Sequence, residues 1–312
     1  MTNNSSPSQL LSSSTNSPKR ILLTGGNGFI GKNIQESFLG EKYEIIAPRS
    51  FELNLLDKNA VEEYFQDKYF DVIIHSAVKP GHRNANDLTS LFESNLTMFE
   101  NLVNNKTKFS KFINLGSGAI YDTTKDITDV KEEDRFKNKG TKEHDLCKYV
   151  IGEKIEKLDN FVDLNIFGIF GKYEDYEIRF ISNAICKSLF DLPITLRQNR
   201  RFSYLYIDDL MPILDCFIEK NKFNYKSYNI VPDKHVELLE LAQIVKKISG
   251  KNIDIQVAQE GFGLDYTGNN SRLKKEFPQI KFTDIQQSVS SLYNYYRENL
   301  NILDKNSLLS DK

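Results

Sequence analysis

Cysteine is scarce in this 312-residue chain, neither sign of charge dominates, and long apolar runs are missing. The three cysteines, Cys147, Cys186 and Cys216, stand far apart, without a Cys-x-x-Cys pair or a histidine cluster. Nothing in that spacing suggests a metal site, and they read as reduced thiols. A formal net charge of -2, with no dense basic stripe, gives no electrostatic basis for binding nucleic acid. No run approaches a membrane span, and the first residues lack the apolar core of a signal peptide. A cytoplasmic protein with small-molecule partners is expected. No internal repeat occurs, and the one low-complexity stretch is N-terminal. Residues 1–18 are Ser, Asn, Thr and Pro with Leu10 and Leu11 as the bulky apolar residues, too little burial to offset ordering entropy, so a disordered tail is expected there.

What is present is length enough for a substantial core, either one large α/β domain or a nucleotide-binding domain with a smaller companion. The chain is organised around residues 20–32. Ile21, Leu22 and Leu23 form the short apolar run of a strand buried on both faces, and Gly25-x-x-Gly28-x-x-Gly31 follows. Gly25 can turn the chain, Gly28 lets the backbone approach a pyrophosphate, and Gly31 lets the next helix pack closely on the strand. An amphipathic segment with Phe29, Ile30, Ile34, Phe38 and Leu39 comes next. Strand, glycine turn and helix in that order predict dinucleotide binding, with helix N–H groups facing the anion.

A second strand is predicted at 43–47, ending at Pro48-Arg49-Ser50. An acid at this point would suit the 2′-hydroxyl of NAD. Arg49 instead offers paired donors to a 2′-phosphate, so NADP is favoured, the alternative being a solvated surface arginine. A helix at 58–66 and a strand at 71–75 lead to Ser76-Ala-Val-Lys79, at the carboxyl end where open parallel sheets place ligands. His75 ends an apolar run and reads as a packed, hydrogen-bonded residue. A helix at 88–104 precedes a strand at 111–115 that runs into Gly116-Ser117-Gly118-Ala119-Ile120-Tyr121, small residues that leave room for a ligand.

This order of motifs resembles the extended short-chain dehydrogenase/reductases that act on nucleotide sugars, an epimerase, dehydratase and reductase family. Within it the chain is most similar to GDP-L-fucose synthase-like 4-keto-sugar reductases. The likeness is carried by Arg49 with Glu52-Leu-Asn-Leu-Leu-Asp57, by Ser76-Ala-Val-Lys-Pro-Gly81, by Gly116-Ser-Gly-Ala-Ile-Tyr121 and by Lys148. It implies an α/β, Rossmann-type doubly wound parallel sheet at 19–171, binding NADPH, and a smaller substrate-binding region at 172–300 with some segments returning to the sheet. A mobile tail is expected at 301–312. The implied cofactor contacts are Gly25, Asn27, Gly28, Phe29, Ile30 and Gly31 in the turn, then Arg49, Leu56 and Asp57, then Ser76, Ala77, Val78 and Lys79, with Lys148 on the nicotinamide ribose. Gly118, Ala119, Tyr121, Asn165, Arg179 and Arg201 are implied at the substrate. A homodimer serving capsular polysaccharide synthesis is the expected setting.

Three departures from that family narrow the reaction. Such enzymes pair a serine and a tyrosine on the sugar oxygen with a lysine four residues after the tyrosine. Ser117 and Lys148 match, but the segment reads His144-Asp-Leu-Cys-Lys148, so histidine stands in the tyrosine's place. His144 is expected as the general acid, repelled as imidazolium by Lys148, with Tyr121 and Tyr149 as substitutes and a loss of catalysis as the alternative. Where GDP-L-fucose synthase epimerises with cysteine and histidine, this chain has Ala119 and Arg179, so epimerisation should be absent. Gly118-Ala119 lacks the acidic pair of the dehydratases, which leaves reduction at C4. A C4 epimerase holding NAD and a non-catalytic nucleotide-sugar binder remain as alternatives. The Arg197-Gln-Asn-Arg200-Arg201 run is expected to grip the diphosphate through Arg201, provided a bulge corrects its register.

Overall fold

The computed structural model describes residues 17–309. The disordered tail expected at 1–18 therefore lies, up to residue 16, outside the described residues, as do residues 310–312 of the expected C-terminal tail.

Six strands, β1 (Arg20–Thr24), β2 (Glu44–Ile46), β3 (Phe70–His75), β4 (Phe109–Ser117), β5 (Phe161–Ile166) and β6 (Ser227–Ile230), form one sheet in the order β6-β5-β4-β3-β1-β2. Every pairing in it is parallel. The chain leaves β1 towards β2 on one side and then crosses to β3 on the other, so the order reverses between β1 and β3. A crevice opens at the carboxyl ends of the strands at such a reversal.

The uninterrupted apolar run of β1 follows from burial on both faces. Ile21 and Leu23 share one core layer with Val72, Ile74 and the helix Ile207–Glu219, which contributes Leu210, Leu214 and Phe217. Leu22 points the other way, with Ile73 and Phe112, towards the helices Lys58–Phe65, Leu91–Val103 and Glu143–Glu156. The period of two in a strand sends alternate residues to opposite layers, and each large side chain so buried contributes about 1.5–3 kcal/mol.

A second core joins the helices Phe180–Leu189, Leu238–Ser249 and Ile285–Glu298 through Ile185, Leu241, Val245, Leu292 and Tyr296. Leu308 is 1 % exposed against it, so the mobile tail expected from residue 301 is corrected: the chain packs as far as that leucine. A small four-stranded sheet ties the two regions together. In it Tyr266–Gly268 lies parallel to both Ile127–Val130 and Arg201–Phe202, and Arg201–Phe202 pairs antiparallel with Val236–Glu237. This sheet carries residues from late in the chain over the carboxyl end of β4.

Candidate active site

The glycine turn is built by three separate constraints. Gly25 has φ +72°, in the left-handed region, and a Cβ there would lie 2.7 Å from the backbone nitrogen of Ala77. A Cβ on Gly31 would lie 2.3 Å from the carbonyl oxygen of Gly25, so that glycine lets the helix Phe29–Glu36 sit against the turn. Gly28 is different. A Cβ there would meet only the oxygen of Gly25, at 3.3 Å, which leaves its outer side open. Gly28 is also the N-cap of the helix, with no side chain capping it, so the first N–H groups stay free for an anion. A dinucleotide's pyrophosphate fits this cradle.

Two clefts meet at Gly28. The first, of about 600 Å³, is bordered by Gly25, Asn27, Arg49, Leu56, Ser76 and Lys79. The second, of about 740 Å³, shares Gly28, Ser76, Ala77 and Val78 with it and adds Phe29 and Ile30. Arg49 is exposed at the end of β2, and its guanidinium makes no ion pair among the described residues; its backbone N–H donates to Glu52 Oε2 at 2.7 Å. Lys79 is engaged at the rim by Asp87, at 2.6 Å. Asp57 does not border either cleft. Its Oδ1 accepts from the N–H groups of Asn59 and Ala60, at 2.9 and 3.1 Å, and so caps the helix Lys58–Phe65. The expected contact from Asp57 to the cofactor is therefore corrected to a helix cap.

Ser117, His144, Lys148, Ala119 and Arg179 all border the second cleft. Ser117 ends β4 and its Oγ accepts from the N–H of Ala119 at 3.1 Å. The helix Glu143–Glu156 presents His144 and Lys148 one turn apart, on the same face. Its first turn is anchored by Asp145, whose Oδ2 accepts from the backbone and hydroxyl of Thr123 at 3.1 and 2.6 Å. Lys148 makes no ion pair among the described residues and borders the cleft.

Burial first, and the charge of Lys148 second, push His144 down to about 4, against a smaller opposing pull from Asp145. Burial and Lys148 therefore favour the neutral imidazole of His144, able to donate one N–H, over a standing imidazolium. His75, pushed to about 3 by burial, bonds through Nδ1 to Thr24 Oγ1 at 2.8 Å and is a packed residue.

Three residues expected at the substrate are placed elsewhere. The Tyr121 hydroxyl donates to Asn229 Oδ1 at 2.7 Å, and the fully buried Asn165 donates to the same oxygen at 3.2 Å. Both belong to an internal network beneath β5 and β6 rather than to the cleft. Arg201 turns away to Asp265, with Nε–Oδ1 at 3.1 Å, and borders a separate shallow cleft with Asp126 and Glu237. Its neighbour Arg200 borders the substrate cleft instead, its guanidinium 4.4 Å from the centre of the Phe202 ring. No bulge is needed, because successive residues of an extended segment face opposite sides. Gly118 lies under the cleft: a Cβ there would come within 2.7 Å of the Phe167 ring and 2.8 Å of the Tyr266 hydroxyl.

Sequence reading missed Arg200, Glu174 and Tyr266. Glu174 is buried beside the cleft, accepts from the Ser182 hydroxyl, and is pushed up to about 8 by burial against the opposing effects of Ser182 and Arg179. Burial thus favours the protonated carboxyl near neutral pH. The Tyr266 hydroxyl stands 3.4 Å from Ser117 Oγ. Strand alternation could have pointed to Arg200; no local signal marks the other two.

A parallel sheet with its crevice at a reversal of strand order, an uncapped glycine turn, and a serine facing a lysine on the next helix define a dinucleotide-binding oxidoreductase of the α/β class. More particularly, the chain belongs to the NAD dependent epimerase/dehydratase family, which it matches over residues 21–231. It is 25% identical over 302 residues to a GDP-L-colitose synthase of Yersinia pseudotuberculosis, covering 89% of this chain and 97% of that one. It is 26% identical over 257 residues to a GDP-L-fucose synthase of Azorhizobium caulinodans, covering 74% and 81%. In fold it is similar to a GDP-mannoheptose C4 reductase from Campylobacter jejuni with NADP bound, at TM-score 0.77 and 17% identity, covering 90% of this chain and 98% of that one. A GDP-L-fucose synthetase from Naegleria fowleri bound to NADP matches at TM-score 0.75 and 16% identity, covering 91% and 96%. Among the described residues no helix is long and apolar enough to cross a membrane.

Proposed function

We propose that the protein is an NADPH-dependent reductase of a nucleotide-linked 4-keto sugar, acting at C4 of a GDP-linked substrate without epimerising it. The observation that carries this reading is the meeting of Ser117, His144 and Lys148 in a cleft that runs on from the glycine turn. NADPH, when bound, supplies the hydride. Ser117 and the neutral His144 donate hydrogen bonds to the carbonyl oxygen as negative charge builds on it, the arrangement that lowers such barriers most. Lys148 holds the nicotinamide ribose. The guanidinium of Arg49, without an ion pair among the described residues, favours the 2′-phosphate of NADPH over the bare hydroxyl of NADH.

Arg179 and Arg200 bring two cations to the same cleft and suit a diphosphate. Ala119 and Arg179 stand where the related epimerising synthases use proton-exchanging side chains. Relatives named for GDP-sugars support the nucleotide; a cytoplasmic homodimer that serves capsular polysaccharide synthesis is the setting proposed from the sequence resemblance. The test follows NADPH consumption with GDP-linked and other nucleotide-linked 4-keto-6-deoxy sugars and determines the product by NMR. Reduction at C4 is expected. No consumption with any of them refutes the proposal.

A further inference from the structure

We infer that Tyr266 donates the proton that completes carbonyl reduction; the inference rests on the reductase reading above. A donor is wanted because the neutral imidazole of His144 has no readily lost proton. Tyr266 is brought over the end of β4 by the small sheet, with its hydroxyl 3.4 Å from Ser117 Oγ. Its ring is fixed between Phe167 and Phe202, with centroids 5.0 and 5.6 Å away. The absence of a side chain at Gly118 makes room for the phenol to reach the serine. Ser117 already accepts from the N–H of Ala119, which leaves its hydroxyl proton to donate, and the serine and tyrosine hydroxyls stand side by side on the border of the cleft.

Burial pushes the phenol up and keeps its proton on in the resting protein; the hydrogen bond with Ser117 pulls the other way, Asp145 adds to the rise, and Arg200 and Arg179 oppose it and would stabilise the phenolate left after transfer. In the step, the carbonyl carbon gains hydride from the dihydronicotinamide, which is oxidised to nicotinamide. The π electron pair of the C=O bond moves to oxygen and forms the new O–H bond with the phenolic proton, and water then reprotonates the phenolate.

Tyr266→Phe keeps the ring that packs on Phe167 and Phe202 and removes only the hydroxyl. Turnover with the 4-keto sugar is expected to fall by about 10²–10³, with NADPH affinity by calorimetry unchanged. The solvent deuterium effect on kcat, which reports the transfer of this proton, should shrink. Should the variant lose NADPH binding, 3-fluorotyrosine at position 266 replaces it, and its more acidic phenol is expected to change kcat and its solvent deuterium effect. A Phe variant that works at the parent rate, or a fluorinated residue that leaves both kcat and the deuterium effect unchanged, overturns the inference and leaves the reductase reading standing. A parent protein that consumes no NADPH with any 4-keto nucleotide sugar overturns both.

Discussion

Glu174→Gln offers a measurement of how far the substrate cleft departs from water. In the folded protein the carboxyl is pushed from 4.5 up to about 8 because it is buried, the Ser182 hydroxyl and Arg179 offsetting only part of that. The fold therefore retains a proton that the unfolded chain releases above about 4.5, and stability falls as pH rises between the two values. The contribution is fully present below 4.5 and is lost as pH passes through about 8. Across the whole interval the loss is on the order of 5 kcal/mol, or about 1.4 kcal/mol per pH unit. Glutamine has the same shape, can still accept from Ser182, and does not titrate. Urea unfolding of parent and variant at several values between about pH 5.5 and 7.5 should show the variant gaining on the parent by roughly 3 kcal/mol. A stability difference that stays constant with pH would show that Glu174 is ionised in the fold, and the account of a dry cleft wall would be wrong.

The other expected outcomes concern cofactor and chemistry. NADPH should bind at least roughly tenfold more tightly than NADH, and Arg49→Asp should reverse the order in calorimetric titrations, because it exchanges phosphate donors for an acceptor of the ribose hydroxyl; equal affinities in the parent count against it. Reduction in deuterated water should place no enzyme-dependent deuterium at the carbons flanking the ketone, beyond spontaneous exchange, and mass spectrometry of the product decides this. The His144 ring resonances should not titrate between about pH 5.5 and 8, and Lys148→Met should move their midpoint upward from about 4. His144→Ala should lower turnover by about 10²–10³, the usual loss for one donor to a developing oxyanion, with little change in NADPH affinity.

The cofactor half was legible in the sequence because its signals are local. Ile21, Leu22 and Leu23 announce a strand buried on both faces, and Gly25 and Gly31 occupy positions where a Cβ collides with backbone. His75 was read correctly as packed because it ends such a strand. The substrate half depends on contacts between distant parts of the chain. Tyr266 meets Ser117 across 149 residues, and neither neighbourhood hints at the other. Tyr121 and Asn165 were misplaced because strand-end position alone does not reveal that Asn229 waits beneath them. Asp57 has the residue type of a ligand contact and of a helix cap, and its place immediately before Lys58–Phe65 decided for the cap.

The opposed directions of Arg200 and Arg201 have a consequence for how this region can evolve. Moving the chain by one position between these arginines and the helix at Ile207 would exchange their partners, sending the Asp265-bound cation into the cleft and stranding the other outside. Moving it by two would restore the original facing. Insertions and deletions in this segment among descendants of the gene should therefore come in even numbers, and it is parity, more than the identity of either arginine, that selection would preserve.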